Sequence, residues 1–374
     1  MSAVGVLSPD RPAPGGRAVA SGGPVVDRAV RDRVARGRTT GRRRAAVVSL
    51  LLGLGCVVTF ALSLTVGEFA LPLRDVLPAL VGQGSPDADF IVSTLRLPRA
   101  LTAVAVGVAF ALSGVIFQSL ARNPLASPDI IGITAGASTA AVLVVVAGSA
   151  LGVATTGVSL PLAALLGGLA TTTAVYLLAY RNGLSAYRLV LVGIGLAAVL
   201  TSVTQYLLTR ADINDVQRAM VWLTGSLNGR GWDDLLPLAL ALTVLVPAVL
   251  LLARPLRALQ LGDDTARGVG VPVERSRAVL VVLAVACASV ATATAGPVAF
   301  VAFVAGPVAR RLVGAPLTLV PAALVGALLV LLADLVARTV LSPTELPVGI
   351  VTGLVGAPYL LWLLARANRV GRTG

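Results

Sequence analysis

Lysine and histidine are both missing from these 374 residues, and all 30 basic residues are arginine. Without lysine there is no phosphate-binding Lys of a nucleotide loop and no Schiff-base chemistry. Without histidine there is no Ser-His-Asp catalysis, no imidazole metal ligand and no imidazole proton relay. Cysteine is scarce too: Cys56 and Cys287 sit far apart in apolar stretches and make neither a C-x-x-C motif nor a disulfide framework. Charged residues are 13% of the chain, about half the ~25% of a soluble domain. What is present is apolar: 56% hydrophobic residues and a mean hydropathy of +0.91. The composition is that of a protein that lives in lipid.

Charge-free runs locate the membrane segments, since a spanning helix needs roughly 20 mostly apolar residues. Such runs lie between Arg44 and Glu68, Arg99 and Arg122, Arg188 and Arg210, Asp234 and Arg254, Arg311 and Asp334, and Glu345 and Arg366. The run from Asp129 to Arg181 is long enough for two helices with a turn near Gly157 to Pro161. The run from Arg277 to Arg310 is divided by Gly296-Pro297 into a full span and a short helix. The prediction is an all-α integral membrane protein with ten transmembrane helices over 45–366. With the N-terminus inside, the inner segments hold 23 Arg and the outer segments 7, while acids run 7 inside and 10 outside. The positive-inside rule therefore gives N-in, C-in.

Residues 1–44 read as a disordered basic cytoplasmic tail, rich in Gly, Pro, Ala and Arg, whose Arg42-Arg43-Arg44 fixes the first helix. It lacks the aromatic interleaving of a nucleic-acid-binding arm, so no nucleic-acid partner is expected. The apolar run that follows is too long for a twin-Arg export signal. Residues 367–374 form a second short cytoplasmic tail.

The spans themselves are nearly free of charge. A centred Asp or Arg costs roughly 2.5–3.5 kcal/mol on insertion scales, and ion-driven transporters normally keep several. Asp334 and Arg338, at (i, i+4), read as a helix-surface ion pair near one helix end. Gly132-x-x-x-Gly136 and Gly349-x-x-x-Gly353 are close-packing signals. Gln118, Ser119, Thr171 to Thr173, Ser202, Thr204, Gln205, Thr292 and Thr294 serve interhelical hydrogen bonds, or line a polar pathway in which Gln205 stands out. In the inner loop, Gly262-Asp263-Asp264 looks like a helix start and Gly268 and Gly270 like its stop. Pro272 followed by Glu274 looks like the start of a second short helix. Such a pair is either a docking surface for another protein or a solvated loop.

At this loop the chain resembles a known family. Leu261-Gly262-Asp263-Asp264-Thr265-Ala266-Arg267, followed by Gly268-Val269-Gly270-Val271, resembles the cytoplasmic coupling segment of iron-siderophore and vitamin B12 ABC importer permeases. Further matches are Leu95-Arg96-Leu97-Pro98-Arg99, the run from Gly114 to Leu120, and Arg122-Asn123-Pro124-Leu125-Ala126-Ser127-Pro128-Asp129. Trp222 with residues 225–229, the turn Ala295-Gly296-Pro297-Val298-Ala299-Phe300, Ala333-Asp334 and Glu345-Leu346-Pro347-Val348-Gly349 complete the set, across about residues 60 to 366. The loop from Gly262 to Arg277 and residues 225–229 look closest to ferric-enterobactin permease subunits.

The resemblance implies a type II ABC importer permease fold in the bacterial cytoplasmic (inner) membrane. It implies a dimer with an identical or paralogous permease around a central pathway. An ABC ATPase dimer would bind Gly262, Asp263, Asp264, Ala266, Arg267 and Gly268. An extracytoplasmic siderophore-binding protein would meet Arg96, Arg99 and Arg338. Asn123 and Leu125 fall on an inner gate loop; Gln118 and Gln205, from the polar residues of the spans, are the candidates to line the pathway itself. Ala186 and Tyr187 stand in a second gate loop that is less alike. No catalytic residue, metal or cofactor is implied on this chain, ATP and magnesium belonging to the partner ATPase. One departure is visible: where the family reads Pro-His, this chain has Gly306-Pro307-Val308 before Ala309-Arg310. A role needing that imidazole cannot operate, although the helix start should survive with Pro in its first turn. Cobalamin or haem is the alternative cargo within the class. An ion-coupled secondary transporter is opposed by the uncharged spans, and a membrane enzyme by the lack of His, Lys and clustered carboxylates.

Overall fold

The structure is a computed structural model that describes residues 28–67, 69, 71–129, 131–150, 159–180, 186–342 and 344–370. It falls into two compact units, 1–42 and 43–374. In the first, the described residues are helical from Arg28. The tail expected over 1–44 is therefore helix over 28–44; Arg and Ala are strong helix formers, and extending an existing helix avoids the nucleation cost. Residues 1–27 and 371–374 lie outside the described residues.

Among the described residues the regular elements are all helices. In chain order the helices are α1 (Arg28–Thr65), α2 (Leu73–Leu80), α3 (Pro86–Asp89), a π-helical stretch (Phe90–Arg96), α4 (Leu97–Leu120), α5 (Ile133–Ala150), α6 (Ser159–Ala179), α7 (Ala186–Arg210), α8 (Ile213–Leu223), α9 (Trp232–Leu251), α10 (Ala253–Gln260), α11 (Asp263–Gly268), α12 (Val273–Ala295), α13 (Val301–Val313), α14 (Leu319–Thr339) and α15 (Val348–Val370). Among the described residues seven stretches are long and apolar enough to cross a membrane, on α1, on α3 with the π stretch and α4, and on α6, α7, α9, α12 and α14. Apolar stretches of α5 and α15 are shorter, and α13 has 13 residues. The ends of these helices fall close to the charged residues that bracket the apolar runs.

Helix α4 is the axis of the bundle. Most of it is buried, and it packs against α14, α12, α13 and α9. The close approaches are made by glycine. A Cβ at Gly107 would strike the backbone of Gly326 on α14, and one at Gly114 would strike the Ala302 carbonyl of α13. Small residues supply close packing where lipid removes the hydrophobic drive between helices. Gly136 plays the same part between α5 and α6, against Gly167 and Thr171, and Gly349 faces the Thr224 carbonyl, whereas Gly353 meets open space.

Two expectations about local structure need correction. Pro272–Glu274 does not open a second short helix; Pro272 is the N-cap of the long α12, and the short partner of α11 is α10, which precedes it. An N-terminal Pro with an acid in the first turn suits a helix of any length. Pro307 does not sit in a first turn either. Helix α13 starts at Val301, after Phe300 in the left-handed region (φ 65°), so Pro307 falls in its interior. Gly356 leaves the room that the Phe300 side chain needs.

Candidate functional site

The loop between α9 and α12 is built as expected around α11. Gly262 precedes it at φ 122°, a conformation that favours glycine, and Asp263 and Asp264 occupy its first turn. Val271 N–H closes onto the Ala266 carbonyl (2.9 Å) after Gly270 at φ 81°. Ala266 is buried and holds α11 down, while Asp264 is fully exposed beside Arg267 (3.2 Å).

The two aspartates have different work. Asp263 Oδ1 accepts from Arg122 Nη2 and Oδ2 from Arg277 Nη2, both at 2.8 Å. Arg122 also donates to the Leu259 carbonyl from Nε (3.2 Å) and Nη2 (3.0 Å). One carboxylate thus clasps α11 to the end of α4 and the start of α12. Hydrogen bonding to Arg277, with the nearby charges, holds the Asp263 carboxyl below its ordinary range in spite of partial burial. A cavity of about 260 Å³ lies behind the clasp, walled by Phe117, Ile131, Leu189 and Val281.

The expected gate loop leaves the same end of α4. Arg122 adopts φ 50°, the Asn123 backbone N–H donates to the Gln118 carbonyl (3.1 Å) and Asn123 Oδ1 accepts from Leu125 N–H (2.9 Å). Asn123 is exposed and Leu125 half-buried. Asp129, near the loop's end, has its carboxyl pushed up to about 6 by burial, against the lowering pull of the Thr134 hydroxyl. Ala186 and Tyr187, expected in a second gate loop, begin α7, and their side chains lie outside the described residues, as do residues 181–185.

Gln118, expected along a pathway, packs inside the bundle. It is buried between α4 and α13, where its Nε2 donates to the Phe303 carbonyl (3.0 Å) and its Oε1 accepts from Arg310 Nη2 (3.0 Å). The reason lies four residues on from Phe303. Pro307 has no N–H, so the Phe303 carbonyl loses its helical donor, and the Gln118 amide replaces it. Gly306 lacks the Cβ that would strike Gln118 Oε1. Gln205 is exposed on α7. Two of the hydroxyl residues on the spans join helices directly: Thr139 of α5 meets Thr204 of α7 at 2.9 Å.

At the opposite end of α4 the three arginines expected to meet a binding protein turn inward. Arg96 is buried and donates to the carbonyls of Leu64, Thr65 and Phe69. Arg99 donates to Asp334 Oδ1 (3.0 and 2.9 Å) and to both oxygens of Glu345 (3.1 and 2.9 Å). Arg338 pairs with Asp334 (3.3 Å) and donates to Ser63 Oγ (2.8 Å). The Asp334–Arg338 pair is present as spaced, but it is buried rather than on a helix surface. Buried charge survives only when paired and hydrogen-bonded, and this cluster ties α1, α4, α14 and the approach to α15 together. Within this cluster spacing reveals only the Asp334–Arg338 pair; the bonds of Arg99 to Asp334 and Glu345, and those of Arg122 and Arg277 to Asp263, have no helical spacing to signal them.

Three loops meet at this end. Ser226 N–H donates to the Ala295 carbonyl (2.8 Å) and Gly349 N–H to the Gly225 carbonyl (3.1 Å). The segments 225–229, 295–300 and 345–349, distant in sequence, thus form one junction.

Among the described residues, a bundle of helices with several of lipid-spanning length, charge clasps at both ends of its central helix and a short exposed helix on a loop has the architecture of a multi-pass membrane protein. The comparisons agree. The FecCD transport family model matches residues 55–366, so the chain belongs to that family. It is 42% identical to the ferric enterobactin transport system permease protein FepG of Escherichia coli, over 87% of this chain and 98% of the relative. It is 44% identical to the achromobactin transport system permease protein CbrC of Dickeya dadantii, over 85% and 91%. A solved metal-chelate type ABC transporter in an inward-facing conformation superposes with a TM-score of 0.74 at 30% identity, covering 86% of this chain and 99% of that one.

Proposed function

We propose that this chain is the membrane permease subunit of an ATP-driven ABC importer for ferric siderophores, with an enterobactin-like catecholate complex as the favoured cargo. It forms the pathway with a second permease copy or paralogue in the cytoplasmic membrane, as ten spans with both termini inside. The ATPase that supplies energy is a separate chain, and an extracytoplasmic binding protein delivers the cargo. The observation that carries this reading is α11: a short helix with a bare outer face, pinned beneath by Asp263 to Arg122 and Arg277. A push on such a helix reaches α4 and α12 through charge-assisted bonds rather than through a slack loop. The similarity to FepG and CbrC supports a ferric siderophore over cobalamin or haem.

The test is uptake in a strain deleted for this gene, with a panel of ferric siderophores, cobalamin and haem. Loss of uptake of one ferric siderophore class, restored by the gene, is expected. Loss of cobalamin or haem uptake alone would overturn the cargo, and no transport defect would overturn the function.

A further inference from the structure

A cavity of about 900 Å³ opens at the junction of residues 225–229, the 295–297 turn and residues 345–347. This is near the upper end of the roughly 300–1,000 Å³ of ligand pockets, and far more than a small oxyanion requires. Its lining includes Gln217, Arg218, Trp222, Asn228, Arg230 and Glu345.

The charge of this lining is not balanced within it. Glu345 is the one acid among the described lining residues, and both its oxygens accept from Arg99 (3.1 and 2.9 Å), whose side chain is buried at its back. Arg218 lies 3.3 Å from Asp215, but its own side chain is 65% exposed and the Asp215 carboxylate nearly buried. Arg230 donates from Nη1 to Asp234 (2.9 Å), and its Nε has no acceptor among the described residues. A guanidinium offers five N–H donors, so both arginines keep donors beyond these pairs. Two side-chain amides and an indole stand beside them. Such a wall suits a bulky, oxygen-rich anion, whose oxygens can accept from the guanidinium N–H donors left over from the aspartate pairs.

We propose that this cavity receives the cargo as an anionic ferric chelate, a complex whose ligand oxygens leave it net negative, and that Arg218 and Arg230 set the preference for negative over neutral cargo. This rests on the reading of the chain as a ferric-chelate permease. The two arginines act on charge and not on iron, so the selection extends to any chelate of similar size and sign.

The test uses the assembled importer complex, purified without its binding protein. Radiolabelled iron is presented in equilibrium dialysis as an anionic tris-catecholate or as a neutral trihydroxamate. The wild-type complex is expected to retain the anionic chelate about ten-fold better than the neutral one. The preference should fall about three-fold in Arg218→Gln and vanish in the double variant Arg218→Gln/Arg230→Gln. Should Arg230→Gln fail to assemble with the ATPase, Arg218→Gln decides alone, because its side chain is mostly exposed. Equal retention of the two chelates by the wild type, or an unchanged preference in the variants, would overturn the proposal. If neither chelate is retained while deletion-strain uptake shows ferric siderophore transport, this site fails and the permease reading stands. If uptake is also absent, the reading itself fails.

Discussion

At the scale of single residues, the charged side chains divide between structure and exposure, and their substitutions should divide likewise. Arg99→Gln leaves Asp334 and Glu345 without their shared partner. Breaking a buried pair costs about 3–5 kcal/mol, so the thermal midpoint in detergent should fall sharply, and an unchanged midpoint would contradict the cluster. Asp263→Arg sets a third guanidinium against Arg122 and Arg277 and should lower both the midpoint and ATP-driven uptake. Asp264→Arg, on the exposed face, should lower uptake and leave the midpoint in place. The clasp also has a pH signature. A carboxyl held low contributes stability that is complete above its unfolded value of about 3.9 and is lost as pH falls through the lower folded value. The stability difference between Asp263→Asn and wild type should therefore be flat from pH 8 to 5. Asp129 has the opposite sign: with its carboxyl raised to about 6, its contribution is full at low pH and declines as pH rises from about 4 to 6. Asp129→Asn should remove that slope.

At the scale of helices, spans were legible where charge brackets an apolar run, because lipid penalises charge so steeply that the boundaries of α4, α7, α9, α12 and α14 almost write themselves. Helix α11 was legible because its glycines and first-turn aspartates are local signals. Long-range pairing was not: Arg99 lies 235 residues from Asp334 and 246 from Glu345, and no spacing rule reaches that far. The inward contacts of Arg96 with the carbonyls of Leu64, Thr65 and Phe69, and of Arg99 with Asp334 and Glu345, were hidden in the sequence for that reason. The place of Pro307 was also hidden, since α13 begins where Phe300 turns left-handed rather than at the proline. The resulting contact between α4 and α13 is testable. Gln118→Leu strips the Phe303 carbonyl and Arg310 of their partner and should cost about 1–3 kcal/mol, the price of buried unsatisfied groups. Adding Pro307→Ala restores a backbone donor and should recover part of the loss, seen as non-additivity in a double-mutant cycle of thermal midpoints.

At the scale of the whole molecule, the absences that open the sequence have a consistent meaning. A chain with no lysine, no histidine and almost no charge within its spans is poor equipment for hydrolysing ATP or relaying protons. It is good equipment for a bundle that another chain moves. The bundle is clasped at both ends of α4, by Arg122, Asp263 and Arg277 at one and by Arg99, Asp334 and Glu345 at the other. A displacement at α11 therefore enters the helix around which the rest packs. The most direct measurement is uptake of a radiolabelled ferric siderophore into proteoliposomes holding this chain with its second permease and partner ATPase, with the binding protein outside. The account predicts accumulation that requires ATP at the ATPase, persists when ion gradients are collapsed and is lost in Asp263→Arg. Accumulation without ATP that follows a proton or sodium gradient would contradict it.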